Sequence, residues 1–164
     1  MNIHALAIAQ MVILLAVANG TPVIATRILG HHLSFPLDAG VEFIDGHPLF
    51  GKSKTIRGIA LAILASALAA PVLGLSWHLG AVVGSTAMAG DIFSSYLKRR
   101  MNLAPSSRAT GLDQIPESLF PLLACRSVLA LSGLDIATCS AIFFVGELVV
   151  SQLLYKAHIR EQPY

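Results

Sequence analysis

Long hydrophobic runs alternate with short polar intervals along this chain. The first covers residues 2–18, pauses at Asn19, Gly20, Thr21 and Pro22, and resumes to Ile28; others cover residues 56–75, 77–98, 115–134 and 136–155. A spanning helix needs roughly 20 apolar residues, and these runs approach that length. Polar positions gather in two longer intervals, 30–55 and 99–114, whereas the turns at 74–76 and 133–135 are short. The pattern predicts an all-α integral membrane protein. Residues 1–164 form a single polytopic domain of five transmembrane helices, with two cytoplasmic loops forming a polar site.

Within this frame, Pro22 removes a backbone donor, so the first span is expected to be kinked or broken at Asn19–Pro22. Freed backbone groups survive in a membrane where they are buried in protein or line a cavity, which makes the break a candidate pocket wall; a plain interfacial helix end is the alternative. Ala16, Val17 and Ala18 mimic a small-x-small cleavage site, but Met1–His4 carry no Lys or Arg, so the helix is expected to be retained. Gly80-x-x-x-Gly84 is a spacing that lets a second helix come close.

Composition strengthens the membrane reading: of 164 residues 55% are hydrophobic and only 12% charged, which excludes an ordinary soluble domain. The net charge of +2 is small, and no nucleic-acid partner is expected. Charge distribution tells more. Lys52, Lys54, Arg57, Lys98, Arg99, Arg100, Arg108, Lys156 and Arg160 all fall on one side of a five-span arrangement. Basic residues in short loops mark the cytoplasmic face, so the N-terminus is expected outside and the C-terminus and both polar loops inside. Cys125 and Cys139 lie in apolar runs, and no disulfide is expected.

Chemistry concentrates between Gly90 and Gln114. Asp91 sits in an apolar helix, where an acid costs roughly 2.5–3.5 kcal/mol and commonly marks function. Lys98 follows about two turns later on nearly the same face, with Arg99 and Arg100 beside it, and the chain returns to a second acid at Asp113. Two carboxylates and a basic cluster suit a magnesium ion and a polyphosphate. The bland alternatives are a structural ion pair for Asp91, a helix-start acid for Asp113 and a positive-inside flank for the three cations. In the first loop Asp45-Gly46 reads as a tight turn, and Lys54 and Arg57 share a face at a helix start, where anions are favoured. Arg126 and Glu147 are expected to form a structural ion pair; a lipid-phosphate contact from Arg126 is the sharper alternative. His31 and His32 read as loop residues, and no nucleophile triad is apparent.

Taken together these motifs resemble a known family. Pro36-Leu37-Asp38-Ala39-Gly40, Asp45-Gly46 and Gly51-Lys52-Ser53-Lys54-Thr55-Ile56-Arg57-Gly58 look like the cytosolic loop of CDP-archaeol synthases, within the wider phosphatidate cytidylyltransferase group. Gly90-Asp91, Ser95, Lys98-Arg99-Arg100, Pro105 and Leu112-Asp113-Gln114 resemble its second signature, and Asn19 to Pro22 its first-helix break. The resemblance implies transfer of a cytidylyl group from CTP to a lipid phosphate, giving CDP-lipid and pyrophosphate. It implies Asp91, Lys98 and Asp113 as catalytic residues, with Mg2+ held by Asp91 and Asp113. Substrate contacts are implied for Asn19, Pro22, Asp38, Asp45, Lys54, Thr55, Arg57, Ser95, Arg99, Arg100 and Gln114. Two stretches depart from the pattern. Ala104-Pro105-Ser106-Ser107-Arg108 stands where a glycine-rich turn is usual, and Asp113-Gln114-Ile115-Pro116-Glu117 replaces a more apolar continuation, making Glu117 an added candidate ligand. The rival class is a small ion-coupled transporter or channel subunit using Asp91 and Glu147, which explains the acids but not the loops.

Overall fold

The structure, a computed structural model, describes residues 3–30, 32–103, 109 and 111–156. Asn2, His31, the stretch from Ala104 through Pro105 to Arg108, and Arg160 with the rest of the tail lie outside the described residues. Among the described residues five helices follow in order: α1 Ile3–Leu29, α2 Ile56–Val72, α3 Trp77–Arg100, α4 Gln114–Ala124 and α5 Gly133–Lys156.

The expected break in the first span does not form: α1 runs through Pro22 without interruption. The polar residues around Pro22 are satisfied within their own helix. Thr21 Oγ1 donates to the Val17 carbonyl at 2.6 Å and the Asn19 side-chain amide to the Leu15 carbonyl at 3.1 Å. Such bonds back to the preceding turn let a helix carry polar groups at depth without opening. Pro22 instead serves as a contact surface, since a Cβ placed on Gly58 would lie 3.4 Å from the Pro22 Cβ.

Close packing of α2 on α3 rests on the Gly80-x-x-x-Gly84 pair. A Cβ at Gly80 would sit 2.2 Å from the Ser66 carbonyl oxygen, and one at Gly84 2.8 Å from the Ile63 Cα, so only glycine admits this approach. The apolar core lies between the helices, with Met11, Leu14, Leu15, Val83, Leu122, Cys125 and Cys139 almost fully buried and both cysteines free. Large apolar side chains also face outward, among them Ile24, Ile28, Leu68, Val72, Val145 and Leu153. Among the described residues two helices, at His4–Leu29 and Gly133–Leu153, are long and apolar enough to cross a membrane, while Ile56–Val72 is apolar but shorter.

The fourth helix corrects the sequence reading. The predicted span 115–134 is helical only to Ala124, so α4 has 11 residues and is about 16 Å long, roughly half a hydrocarbon core. Turns then carry the chain to Leu131, and Ser132 and Asp135 exchange hydrogen bonds in a capping box that starts α5 early. Arg126 therefore lies in an exposed turn rather than mid-helix. At this end of the bundle His4 Nδ1 contacts Asp135 Oδ2 at 2.8 Å, and Gln10 donates to the Leu73 carbonyl at 2.8 Å. The opposite end is left to the first polar loop, the start of α2, the end of α3 and the start of α4.

Candidate active site

The first loop is shaped by Asp38. Its Oδ1 accepts the Gly40 N–H at 3.1 Å, and its Oδ2 accepts Phe50 N–H at 3.1 Å and Gly51 N–H at 2.8 Å. Burial works to raise the Asp38 pKa, but those backbone donors outweigh it and hold the carboxyl below its ordinary value. Leu37 N–H to the Lys54 carbonyl at 2.7 Å and Ile56 N–H to the Phe35 carbonyl at 3.1 Å close the base of the loop. Asp45-Gly46 forms the expected tight turn, with Gly46 at φ +74° and its N–H on the Phe43 carbonyl at 2.9 Å. Asp38 thus supports the loop through backbone bonds.

Closure of the loop aims Lys54 at α3. Its Nζ lies 2.5 Å from Asp91 Oδ1, and both side chains are mostly buried. Burial works to lower the Lys54 pKa; the Asp91 charge and hydrogen bond, reinforced by Glu117 and Asp113, outweigh it and hold the ammonium above the ordinary lysine value. A second pair stands beside the first, with Lys98 Nζ 2.7 Å from Asp113 Oδ1. Asp113 is the N-cap residue of α4 yet makes no side-chain cap bond, so its carboxylate is directed at Lys98 rather than at its own helix. Ser94 Oγ donates to the Gly90 carbonyl at 2.9 Å and approaches the Asp113 carbonyl at 3.4 Å, linking the two helices.

The other basic residues divide by partner. Arg57 donates to the carbonyls of His32 and Gly30, the latter at 3.1 Å, so it caps the end of α1. Arg100 reaches Asp45 Oδ1 and the Pro48 carbonyl, both at 2.8 Å, and its guanidinium lies 4.5 Å from the Phe43 ring centroid and 5.2 Å from that of Tyr96. It clamps the hairpin tip onto α3 through a planar fork and two ring contacts. Arg99 is buried and close enough to Asp113 to feel its charge. Thr55 Oγ1 accepts the Gly58 N–H at 3.1 Å as the N-cap of α2, Gln114 Oε1 accepts the Gly111 N–H at 2.8 Å, and Ser95 is buried. Asn19 and Pro22 lie within α1, with Pro22 against Gly58 at the start of α2.

Glu117 has a larger place than its sequence position indicates. One turn beyond Asp113 on α4 and buried, it is close to the Asp91 carboxyl, Lys54 and Glu147. The expected partner for Glu147 was Arg126; the structure places Arg126 in the exposed turn after α4 and Glu147 near Glu117. The i,i+4 spacing of Asp113 and Glu117 was a signal that both could face one site. Gly90 makes the meeting geometrically allowed, because a Cβ there would lie 2.3 Å from the Pro116 carbonyl oxygen.

The donor set fits a hard divalent cation. Asp91 and Asp113 already hold cationic ammonium groups, so each carboxylate stands in a position suited to positive charge. No group of three or more His, Cys, Asp or Glu side chains arranged as metal ligands exists among the described residues. Such a site would supply few protein oxygens and leave the rest of an octahedron to water and phosphate, as magnesium prefers.

Comparison with known proteins identifies the family. The profile of the CarS-like family, described as CDP-archaeol synthase, matches residues 3–164. The CDP-archaeol synthase of Sulfurisphaera tokodaii is 30% identical over 135 residues, covering 79% of this chain and 81% of that protein. That of Pyrobaculum arsenaticum is 34% identical over 121 residues, covering 70% of each. A solved structure of an intramembrane enzyme for archaeal membrane lipid biosynthesis superposes with a TM-score of 0.67 at 30% identity, over 86% of this chain and 90% of that one. With its whole described length inside the family profile and its fold shared with that enzyme, the chain belongs to the CDP-archaeol synthase family.

Proposed function

We propose that this protein transfers a cytidylyl group from CTP to a membrane lipid phosphate, giving a CDP-lipid and pyrophosphate. A phosphate oxygen of the lipid attacks the α-phosphorus of CTP while the bond to the leaving pyrophosphate breaks. Such in-line transfer depends on positioning and charge neutralisation more than on covalent help from the protein. The observation that carries the reading is the meeting of Lys54–Asp91 and Lys98–Asp113, drawn from the first loop, α3 and the start of α4, at one end of an apolar bundle. Asp91 and Asp113 are the residues to hold Mg2+. When bound, that ion would neutralise triphosphate charge and orient the leaving group. Lys54, Lys98 and Arg99 bind phosphate oxygens, and the loop ordered by Asp38 and Arg100 shapes the nucleotide pocket.

The finer membrane topology belongs to the same proposal. Five membrane-embedded helices, with α4 only partly crossing, put the first loop and the α3–α4 loop on the cytoplasmic side, where CTP is found, and the N-terminus outside. The concentration of Lys and Arg at that end supports this orientation. The lipid is an archaeal-type ether lipid phosphate or a diacyl phosphatidate, since both present the same reacting group. The test supplies purified protein with Mg2+, CTP and each lipid phosphate, and reads pyrophosphate release together with the mass of the CDP-lipid. Absence of CTP-dependent pyrophosphate release with every lipid phosphate would overturn the assignment.

A further inference from the structure

Asp91 and Asp113 are both engaged. Asp91 Oδ1 holds the Lys54 ammonium at 2.5 Å, and Asp113 Oδ1 holds that of Lys98 at 2.7 Å. A cation drawn to either carboxylate meets the ammonium already there and repels it, and a phosphate drawn to either ammonium repels the carboxylate. All four side chains are mostly buried, so a partner left behind by either exchange keeps its charge away from water. Glu117 is buried at the same α3–α4 junction, its backbone against Gly90 beside Asp91, so a departing Lys54 leaves neighbouring acids that call for another cation.

We propose that the two lysine–aspartate pairs are a partner-exchange device. Lys54 and Lys98 stand in for a divalent cation at Asp91 and Asp113, and when cation and triphosphate arrive together the carboxylates pass to the cation and the ammonium groups to the phosphates. This rests on the reading of the site as a metal and triphosphate cradle. It adds that neither ligand alone is well accommodated: the cation alone strands two ammonium groups, and the triphosphate alone strands two carboxylates. Together they leave nothing stranded. The exchange therefore makes each ligand tighten the other, by a factor on the order of 5 to 150 for a coupling of ordinary size. It also protects the ligand-free site from the mutual repulsion of its own acids, which keeps the α3–α4 junction closed before substrate arrives.

The test is acylation of lysine amines in the full chain, held in lipid nanodiscs, with an amine-reactive reagent and peptide mass as the readout. Without ligands, Lys54 and Lys98 label slowly relative to exposed Lys52. Mg2+ alone raises labelling of Lys54 and Lys98 several-fold, because their carboxylates are taken, and Mg2+ with CTP returns it to the low level. In Asp91→Asn, Lys54 labels readily without metal and ceases to respond to it, while Lys98, still paired with Asp113, stays slow to label without metal, which reports that the variant remains folded. Unchanged labelling of both lysines across a Mg2+ range that includes full turnover in the presence of CTP overturns the exchange. An active enzyme with unresponsive lysines removes the exchange and leaves the proposed function. Responsive lysines without pyrophosphate release keep the exchange and remove the function.

Discussion

Replacing Gly90 by alanine isolates the junction on which the site depends. The added Cβ would stand 2.3 Å from the Pro116 carbonyl oxygen, 2.5 Å from its carbon and 2.8 Å from the Glu117 nitrogen, against 3.4–4 Å for ordinary contact. All three atoms are backbone, so no rotamer change relieves the clash, and the start of α4 must retreat by about 1 Å in a close-packed interior. Overpacking of this kind costs about 1–3 kcal/mol of stability. Activity suffers more, because Asp113 and Glu117 move with α4 away from Asp91 and Lys98, and a misplacement of about 1 Å can cost on the order of 100-fold in rate. Gly80→Ala provides the matched control: its Cβ would meet the Ser66 carbonyl oxygen at 2.2 Å, a comparable wedge between α2 and α3 that touches none of the site's lysine–aspartate pairs. Thermal unfolding and pyrophosphate release are measured on both. The expected outcome is a similar loss of stability, with a kcat loss at least ten times larger for Gly90→Ala. Equal kcat losses, or a Gly90→Ala enzyme within two-fold of the original, would refute the claim that the α3–α4 approach positions the chemistry.

Asp91→Asn is expected to lower kcat by at least about 100-fold, as loss of a charge-stabilising ligand commonly does, while circular dichroism stays unchanged; full activity would remove Asp91 from the cation site. Arg100→Ala deletes the fork to Asp45 and Pro48 and the contacts with Phe43 and Tyr96, so the hairpin of residues 41–49 should be cleaved at least several-fold faster in limited proteolysis. An unchanged cleavage rate would show that the tip is held by something else. Asp38 gives a pH dependence. Its folded-state pKa is depressed, so its contribution to loop stability is fully present above the ordinary aspartate value and is lost as pH falls through the lower folded one. Protease sensitivity of residues 30–55 should therefore rise in strongly acidic solution, and Asp38→Ala should show the raised sensitivity at neutral pH.

Long hydrophobic runs were enough to locate α1, α2, α3 and α5, because the apolar residues of a packed helix leave their mark locally in the sequence. The same local logic placed the Gly80–Gly84 contact, the Asp45-Gly46 turn and the concentration of basic residues at one end. It did not foresee that the helix continues unbroken through Pro22, or that helix α4 stops at Ala124. In the first case side chains of Asn19 and Thr21 bond back into their own helix; in the second a capping box at Ser132 and Asp135 starts the next helix early. Both outcomes depend on which hydrogen bonds win, and hydropathy does not register that competition. Partnership was decided only in three dimensions. Asp91, Lys98 and Asp113 could be singled out as residues of one site, but that Asp91 holds Lys54, 37 positions away, required the first loop to fold against α3. That Glu117 meets Asp91, and that Arg126 ends in an exposed turn, required α4 to stop short and pack against Gly90. Charge type is written in each residue, whereas charge pairing is a property of the distances that folding creates.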